Sequence, residues 1–317
     1  LVDLFIESQR KPPREIWLDL DATDDPLHGH QEGRFFHGYY RCYCYLPLYI
    51  FCGEHLLCAR LRPSNQDASA GSVDELERIV SQIRARWPKT RIVIRGDAGF
   101  CREAIMAWCE ANNVHYVLGL ARNKRLQRAL GEAMEEARTA HERSGKPARR
   151  FRDFRYRTRK SWSRERRVIG KAEYLPGKAN PRFVATNLTI REASAKRLYE
   201  HLYCARGEME NRIKEQQLGL FADRTSTTTL RANQLRLYFS SFAYVLLHGL
   251  RRLGLAGTEH AKAQSTTIRV KLLKIGARIR ITVRKVWLAF SEAFPYAKDI
   301  AQILANLQRY PAWSPPG

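Results

Sequence analysis

The chain has 317 residues, 44% of them apolar, which is enough for the core of one large domain or of a domain with an insertion. Its 55 lysine and arginine residues outnumber 32 aspartate and glutamate residues, and the net charge of +23 is unlike that of most soluble metabolic enzymes and favours a polyanionic partner. No apolar run approaches the roughly 20 residues of a membrane-spanning helix, and the basic residues form no single amphipathic stripe, so we expect nucleic acid and no membrane partner.

Alternating residues near the N-terminus predict a strand over 16–21, on which Asp19 and Asp21 share one face. A run rich in tyrosine, leucine and isoleucine over 39–51 predicts one or two more strands, and 56–61 predicts another. Strands that follow one another this closely usually pair as neighbours. The sheet is therefore expected to begin as an antiparallel meander.

A helix over 72–86 is predicted from apolar residues at helical spacing, with Ser72 as the N-cap and Glu75 as its capping-box partner. A short buried strand over 91–95 follows and leads directly into Asp97. This aspartate is therefore expected at the carboxyl end of a strand, where α/β sheets place their ligands. A further helix and strand complete the predicted order β, β, β, α, β, α, β.

A basic, aromatic-rich stretch with predicted strands comes next, and we interpret it as an insertion. Two long helices are predicted after it, over 194–220 and 233–253, followed by a basic, strand-like stretch over 268–286 and a helix over 299–307. The predicted segments are the first part of an α/β core at 1–121, a basic β-containing insertion at 122–190, the second part of the core at 191–255 and a basic C-terminal region at 256–317.

The insertion places aromatic residues between closely spaced cations, a pattern that suits a groove for a nucleic-acid backbone and an exposed base. Trp162 has two interpretations, since it either stabilises a flipped base or packs beneath the insertion. The residues predicted to bind DNA here are Trp162, Arg164, Arg166 and Arg167.

The helix predicted over 194–220 carries a polar ridge, which alone is typical of a solvated helix face. At 100° per residue its members fall within about 60° of arc. They are Tyr203, Arg206, Glu210, Lys214 and Gln217.

Two aspartates upstream change the interpretation of this ridge. Asp21, Asp97 and Glu210 lie on separate elements, and three carboxylates that converge repel one another unless cations neutralise them. Mg²⁺ and Mn²⁺ prefer such oxygen ligands. Because two ions can activate the attacking oxygen and stabilise the leaving oxygen of a phosphodiester displacement, we expect two Mg²⁺ or Mn²⁺ ions here.

Seven cysteines with no secretory leader before them favour a reducing cytosol over a disulfide framework, and we expect them to be buried, inert thiols. The sequence begins with Leu1 and not with Met, so a preceding N-terminal DNA-binding region stays an open alternative.

Several short motifs and their order along the chain resemble those of the DDE transposases of bacterial insertion sequences, most closely the insertion-sequence family numbered 1380. The resemblance extends from about residue 15 to 310. Its motifs are Leu-Asp-Leu-Asp21-Ala-Thr-Asp, Arg-Gly-Asp97-Ala-Gly-Phe, Gly-Leu-Ala-Arg-Asn at 119 to 123, Ser161-Trp162-Ser, Arg166-Arg-Val-Ile, Lys171-Ala-Glu, Ala185-Thr-Asn187-Leu and the helix bearing Tyr203, Arg206 and Glu210.

The resemblance implies an α/β fold with an RNase H-like mixed sheet flanked by helices, interrupted by a basic β-strand insertion before the glutamate-bearing helix. It also implies cut-and-paste transposition, in which a metal-activated water hydrolyses one strand at the element end and the freed 3′-hydroxyl attacks next. In related families the attack of the 3′-hydroxyl forms a hairpin at the DNA end before strand transfer. The implied partners are double-stranded DNA, as terminal inverted repeats and target, and a second copy of the chain in a homodimer. The implied location is the bacterial cytoplasm.

By the same resemblance, Asp21, Asp97 and Glu210 match the family's metal ligands, and Tyr203 and Arg206 match its DNA-phosphate contacts. The family pattern has a lysine seven residues after the glutamate, where this chain has Gln217. Either Lys214, one turn from Glu210, replaces that lysine, or the activity is weakened.

Two other functions are compatible with parts of the sequence. The segment around Asp19 and Asp21 also fits the Asp-x-Asp motif of haloacid-dehalogenase-type phosphatases, with Asp19 as the nucleophile. That reading fits poorly with the aromatic strands that follow and with the net charge. The second alternative is a catalytically inactive or truncated transposase that only binds DNA.

Overall fold

The computed structural model describes residues 1–310, and the last positions of the predicted C-terminal region, 311–317, lie outside the described residues. The chain divides into two compact units. The first comprises Leu1–Asn211 and Ser226–Gln234, and the second comprises Arg212–Thr225 and the described residues from Leu235 onward.

Fourteen strands are present among the described residues. They are β1 (Glu15–Ala22), β2 (Asp25–Pro26), β3 (Phe35–His37), β4 (Cys42–Tyr45), β5 (Leu48–Cys52), β6 (His55–Arg60), β7 (Arg91–Gly96), β8 (His115–Leu120), β9 (Ala148–Tyr156), β10 (Arg166–Leu175), β11 (Lys178–Ala179), β12 (Arg182–Thr186), β13 (Ala277–Ile281) and β14 (Val286–Phe290).

Ten α-helical segments accompany these strands in the described part of the chain. They are α1 (Val2–Glu7), α2 (Ser72–Arg86), α3 (Glu103–Ala111), α4 (Lys124–Ala129), α5 (Gly131–Ser144), α6 (Ala195–Arg197), α7 (Gly207–Lys214), α8 (Leu230–Gly249), α9 (Ser265–Ile268) and α10 (Ala297–Gln308).

The first unit is built on one nine-stranded mixed sheet. Its core has the order β6-β5-β1-β7-β8, in which β6, β5 and β1 are antiparallel, while β7 and β8 run parallel to β1. The antiparallel neighbours β1, β5 and β6 confirm the predicted meander, and the mixed sheet confirms the predicted α/β class. This strand order also fits an RNase H-like core. Leu18 and Leu20 of β1 are fully buried because this strand is central and covered on both faces.

The strands of the predicted insertion continue the same sheet. β12 pairs with β8, β10 pairs with β12, and β9 forms the outer edge against β10, all antiparallel. Helices α4 and α5 cover this extension, burying Leu126, Leu130, Ala133 and Ala137 in the same core cluster as β1. The insertion is therefore an extension of the core sheet and shares its hydrophobic interior.

Helix α2 has the bounds that the periodicity predicts, but its predicted cap is wrong. The N-cap position is Gly71, in the left-handed conformation at φ 69°, and no side chain caps the helix. Ser72 is the first helical residue, and its buried Oγ has no hydrogen-bond partner. A β-carbon at residue 71 would lie 2.9 Å from Arg60 Nη1, so both the backbone angle and the space require glycine here.

The segment predicted as a single helix over 194–220 is helical but not uniformly α-helical. A π-helical turn over Leu198–Tyr203 and a 3-10 turn over Cys204–Arg206 separate α6 from α7, and a second π-helical turn covers Glu215–Gly219. The angle per residue differs among these forms, so the 100° per residue assumed for the ridge holds within α7 and not along the whole segment.

The second unit contains α8 from Leu235 onward, α9, α10 and the hairpin of β13 and β14. Its core includes Leu247, Leu255, Ile268, Leu272 and Ile303. The stretch predicted as strand-like from residue 268 instead begins as a helix, and the hairpin starts at Ala277. Among the helices of residues 1–310, none combines the length and apolarity needed to cross a bilayer.

All seven cysteines are free thiols, and five are buried. Burial raises the pKa of the Cys52, Cys58 and Cys101 thiols to about 12. These buried thiols are protonated at neutral pH and unreactive, as expected from the sequence. Cys42 is only partly buried and Cys204 is exposed, so the expectation of burial is wrong for these two.

Candidate active site

Asp21 lies near the end of the central strand β1, at the edge where β7 also ends. Its Oδ1 accepts a hydrogen bond from the Ala22 N–H at 3.0 Å, and its Oδ2 accepts one from Arg206 Nη1 at 3.2 Å. The carboxylate is therefore held by the backbone of its own strand on one side and by a cation from a distant helical segment on the other.

Asp19, two residues earlier on the same face, has a different environment. Its carboxylate is 5% exposed and is paired with Arg95 of β7, which donates from Nε at 2.5 Å and from Nη2 at 2.8 Å. Arg95 Nη1 also donates to the Leu202 carbonyl at 2.6 Å. Asp19 and Arg95 thus tie β1 and β7 to the helical segment before Arg206. A carboxylate closed off in this way is unsuited to the nucleophile role of the phosphatase alternative.

Asp97 follows β7 directly and opens a turn. Its Oδ1 accepts a hydrogen bond from the Gly99 N–H at 2.8 Å, and its carbonyl accepts one from the Phe100 N–H at 3.2 Å. The turn fixes the direction of the side chain at the strand end. The structure therefore places Asp97 at the carboxyl edge of the sheet, as the sequence predicts.

Arg206 joins two of the three predicted acidic residues. It donates to Asp21 Oδ2 at 3.2 Å and to Glu210 Oε1 at 2.7 Å, with its own side chain 17% exposed. Glu210, one turn later in α7, is the more open of the two carboxylates. The guanidinium, 185 positions from Asp21 in the sequence, thus holds the Asp21 and Glu210 side chains together.

The electrostatics of this group are those of an acidic site short of positive charge. Burial raises the pKa of Asp21 to about 6; Arg206 lowers it in part, while Asp97 and Glu210 raise it further. Both other carboxylates thus act on Asp21, and the Arg206 guanidinium offsets part of their effect. Oxygen donors with an unmet need for positive charge suit a divalent cation, and Asp21, Asp97 and Glu210 are the residues that would hold it.

The carboxylate oxygens of Asp21, Asp97 and Glu210 do not all lie within 4.8 Å of one another. Within residues 1–310, three metal-ligand atoms come within 4.8 Å of one another only at Glu259, His260 and Asp299 of the second unit, where His260 Nδ1 lies 2.5 Å from Asp299 Oδ2. In the first unit, Arg206 already contacts two of the acidic side chains. The guanidinium therefore occupies the position between Asp21 and Glu210.

Tyr203 lies beneath the acidic group. A β-carbon added to Gly119 would be 2.5 Å from the Tyr203 hydroxyl, 3.0 Å from the Ala98 nitrogen and 3.1 Å from the Asp97 carbonyl carbon. Burial raises the pKa of the Tyr203 phenol, and Arg206 lowers it in part. The tyrosine packs beside the backbone of Asp97, whereas the resemblance implies a DNA-phosphate contact.

The insertion residues predicted to bind DNA fall into two groups. Trp162 is 4% exposed and packs edge-on against Tyr156 at 5.7 Å, which favours the packing interpretation. Arg166 is 2% exposed and donates to Glu103 and Glu110 of α3, at distances from 2.6 to 3.1 Å.

Arg167 is likewise buried, and it donates to the Asp153 carboxylate and to the carbonyls of Leu188 and Ala193. Arg164 is the exception, with its side chain 66% exposed. Arg166 and Arg167 therefore neutralise carboxylates of the protein itself, and they do not line the exposed groove that was predicted for them.

Tyr40 belongs to the neighbourhood of the acidic group although no sequence motif points to it. Its hydroxyl donates to the Ala22 carbonyl at 3.3 Å. Burial raises the pKa of the Tyr40 phenol, and the charges of Asp24, Asp21 and Asp97 raise it further. Arg95 is a second residue that the sequence did not identify, because its partner Asp19 lies 76 positions away.

Lys214 belongs to the second unit, and its role and that of Gln217 stay predictions.

Comparison with known proteins gives a family match and similar solved structures. The profile of the family described as Transposase DDE domain group 1 matches residues 1–312. No curated protein matches the sequence. The cryo-EM structure of a piggyBac transposase synaptic complex with hairpin DNA is similar over 82% of this chain, with 12% sequence identity and a TM-score of 0.44. The chain covers about half of that protein, 52% of its length. Because the family match covers nearly the whole sequence, the chain belongs to the Transposase DDE domain group 1 family.

Proposed function

We propose that the chain is a DNA transposase that moves an insertion sequence by a cut-and-paste reaction dependent on a divalent metal. The observation that carries this proposal is the contact of Arg206 with both Asp21 and Glu210, beside Asp97 at the carboxyl edge of the sheet. Family membership supports the same function. The metal ligands proposed are Asp21, Asp97 and Glu210, for two Mg²⁺ or Mn²⁺ ions.

When bound, such ions supply an activated attacking oxygen and stabilise the leaving oxygen of the phosphodiester. The residues of the chain prepare the site for this chemistry. The backbone holds one oxygen each of Asp21 and Asp97. The other oxygen of Asp21 is the one that Arg206 contacts, so it would face a ligand once Arg206 moves away. Arg206 would exchange its two carboxylates for a DNA phosphate, a partner that guanidinium groups bind well.

The surface charge supports double-stranded DNA as the substrate, in the form of element ends and target. With Arg166 and Arg167 buried, the phosphate-binding residues proposed on the insertion are the exposed cations closest in sequence to Trp162. They are Arg155, Arg157, Arg159, Lys160 and Arg164. Because two element ends must be held together for cut-and-paste transfer, we propose a homodimer on DNA.

A cleavage assay on a supercoiled plasmid carrying the element ends tests the function. Strand nicking is expected with Mg²⁺ or Mn²⁺, with none in EDTA. Asp97→Asn and Glu210→Gln should each abolish nicking, because each removes a metal-binding charge. Glu208→Gln is the matched control, since it makes the same change on an exposed side chain of the same helix and should retain activity. Metal-dependent nicking that survives Glu210→Gln would contradict the assignment of the site.

A further inference from the structure

A small three-stranded sheet of the first unit, in the order β2-β4-β3, carries an unusual number of exposed aromatic side chains. We call residues 34–43 the aromatic finger. Tyr39 at its tip is 84% exposed and Phe36 is 58% exposed, and Phe35 and Tyr43 are exposed as well. Exposed aromatic side chains grouped in this way mark a binding surface.

The tip of the finger is attached to the candidate active site. The Tyr40 hydroxyl donates to the Ala22 carbonyl at 3.3 Å, and Ala22 is the residue after Asp21. The influence of the Asp21 and Asp97 charges on the Tyr40 phenol is a second sign of this proximity. Whatever binds the tip is therefore held beside the acidic residues.

The turn that forms the tip is constrained. Arg41 adopts a left-handed backbone at φ 56°, and its N–H donates to the His37 carbonyl at 2.8 Å. A non-glycine residue in this conformation is strained, and such strain is concentrated at functional sites. The turn directs Tyr39 outward while Tyr40 points back toward β1.

Tyr39 has a defined orientation despite its exposure. Its ring centroid lies 5.0 Å from that of Tyr40, at an interplanar angle of 87°. An edge-to-face contact of this kind fixes a ring and leaves most of its surface open. A base that stacks on Tyr39 would therefore meet a ring whose position is already set, at a low cost in side-chain entropy.

The charge of the finger is complementary to a nucleic-acid strand. Residues 33–43 contain no aspartate or glutamate, and they include Arg34 and Arg41. Arg34 lies over the ring of Tyr43, with its guanidinium carbon 3.7 Å from the ring centroid. Aromatic rings combined with arginines are the usual surface for unpaired bases.

We propose that the aromatic finger stacks on unpaired nucleobases at a DNA end held in the active site, with Tyr39 as the stacking residue. The proposal rests on the proposed transposase function for the presence of such an end. It gives Tyr39 the role that the sequence suggested for Trp162, which is buried.

The test uses a duplex with a short single-stranded 3′ extension that contains 2-aminopurine, whose fluorescence falls on stacking. Binding is measured in EDTA, so that no cleavage is required. The wild-type protein should quench the probe. Tyr39→Ala should remove the quenching and weaken binding of this DNA by about 5- to 150-fold, as expected for the loss of one stacked base. Tyr39→Trp should retain both, because it restores an aromatic face.

Trp287→Ala is the control, since it removes a half-exposed aromatic side chain from the second unit. Circular dichroism verifies that each variant is folded. Unchanged quenching by Tyr39→Ala, or an equal loss of affinity for a fully paired duplex, would overturn the proposal. So would a change in oligomeric state with unchanged quenching, which would make a protein the partner of the finger. Failure of the wild-type protein to nick DNA would remove the proposed function without affecting this binding result.

Discussion

The two aspartates of β1, only two positions apart, should respond to the same substitution in opposite directions. Asp21→Asn is expected to stabilise the protein in EDTA. The pKa of Asp21 is raised from 3.8 to about 6, so keeping the carboxylate ionised at neutral pH costs about 3 kcal/mol, since a tenfold change in proton affinity is about 1.4 kcal/mol. Asparagine resembles the neutral acid in shape, and we expect a gain of about 1 to 3 kcal/mol.

Asp19→Asn should destabilise the protein by about 3 to 5 kcal/mol. It removes the charge that neutralises Arg95, and the two side chains are only 7% and 9% exposed. A buried guanidinium without its carboxylate also weakens the link from β7 to Leu202.

The measurement is urea unfolding in EDTA at pH 7.5, with Asp74→Asn on the exposed face of α2 as a control that should change stability by less than about 0.5 kcal/mol. The pH dependence gives a second test. The contribution of Asp21 to stability is fully present below pH 3.8 and is lost as the pH rises through about 6, so the advantage of Asp21→Asn should develop between these values. Destabilisation by Asp21→Asn, or a gain that does not vary with pH, would refute this reasoning.

Three further substitutions test the packing around the site, each by urea unfolding. Gly119→Ala should cost about 1 to 3 kcal/mol and reduce nicking, because the new methyl group overlaps the Tyr203 hydroxyl; adding Tyr203→Phe should recover part of both, and no recovery would contradict the contact. Arg166→Ala should cost about 3 to 5 kcal/mol because it removes the buried cation that two carboxylates of α3 share, whereas Arg159→Ala on the surface should stay within about 0.5 kcal/mol, so equal effects would count against a structural role for Arg166. Trp162→Ala should cost about 3 to 5 kcal/mol through the cavity it leaves, and a smaller loss than about 1 kcal/mol would show that the ring is not buried.

Features that depend on local periodicity were predictable from the sequence. The bounds of α2 and the position of Asp97 after β7 follow from apolar spacing and strand length. The path of the helical segment through Tyr203 was not predictable, because a π-helical turn adds one residue to a turn without a change in composition. The α-helical geometry assumed for the ridge therefore fails at Tyr203, although its phenol lies near Arg206 and Asp97. The roles of Tyr203, Arg206 and Glu210 stay predictions.

The burial of charged side chains could not be predicted from the sequence either. Arg166 has the composition of a DNA-binding residue, and its partners Glu103 and Glu110 lie more than 50 positions earlier in the sequence. Only the pairing of β10 beside the core brings them together. The exposure of Tyr39 depends in the same way on the turn at Arg41, so a count of aromatic residues could not separate it from the buried Trp162.

In the proposed metal site, the position of Arg206 between Asp21 and Glu210 would make metal loading an exchange of cations and not a simple addition. The guanidinium is an intramolecular competitor whose effective concentration does not fall on dilution. The metal concentration at half-maximal loading therefore measures the strength of two internal ion pairs together with the intrinsic affinity of the carboxylates. Since a phosphate offers the displaced guanidinium a new anion, DNA and metal each lower the concentration of the other that is needed to load the site.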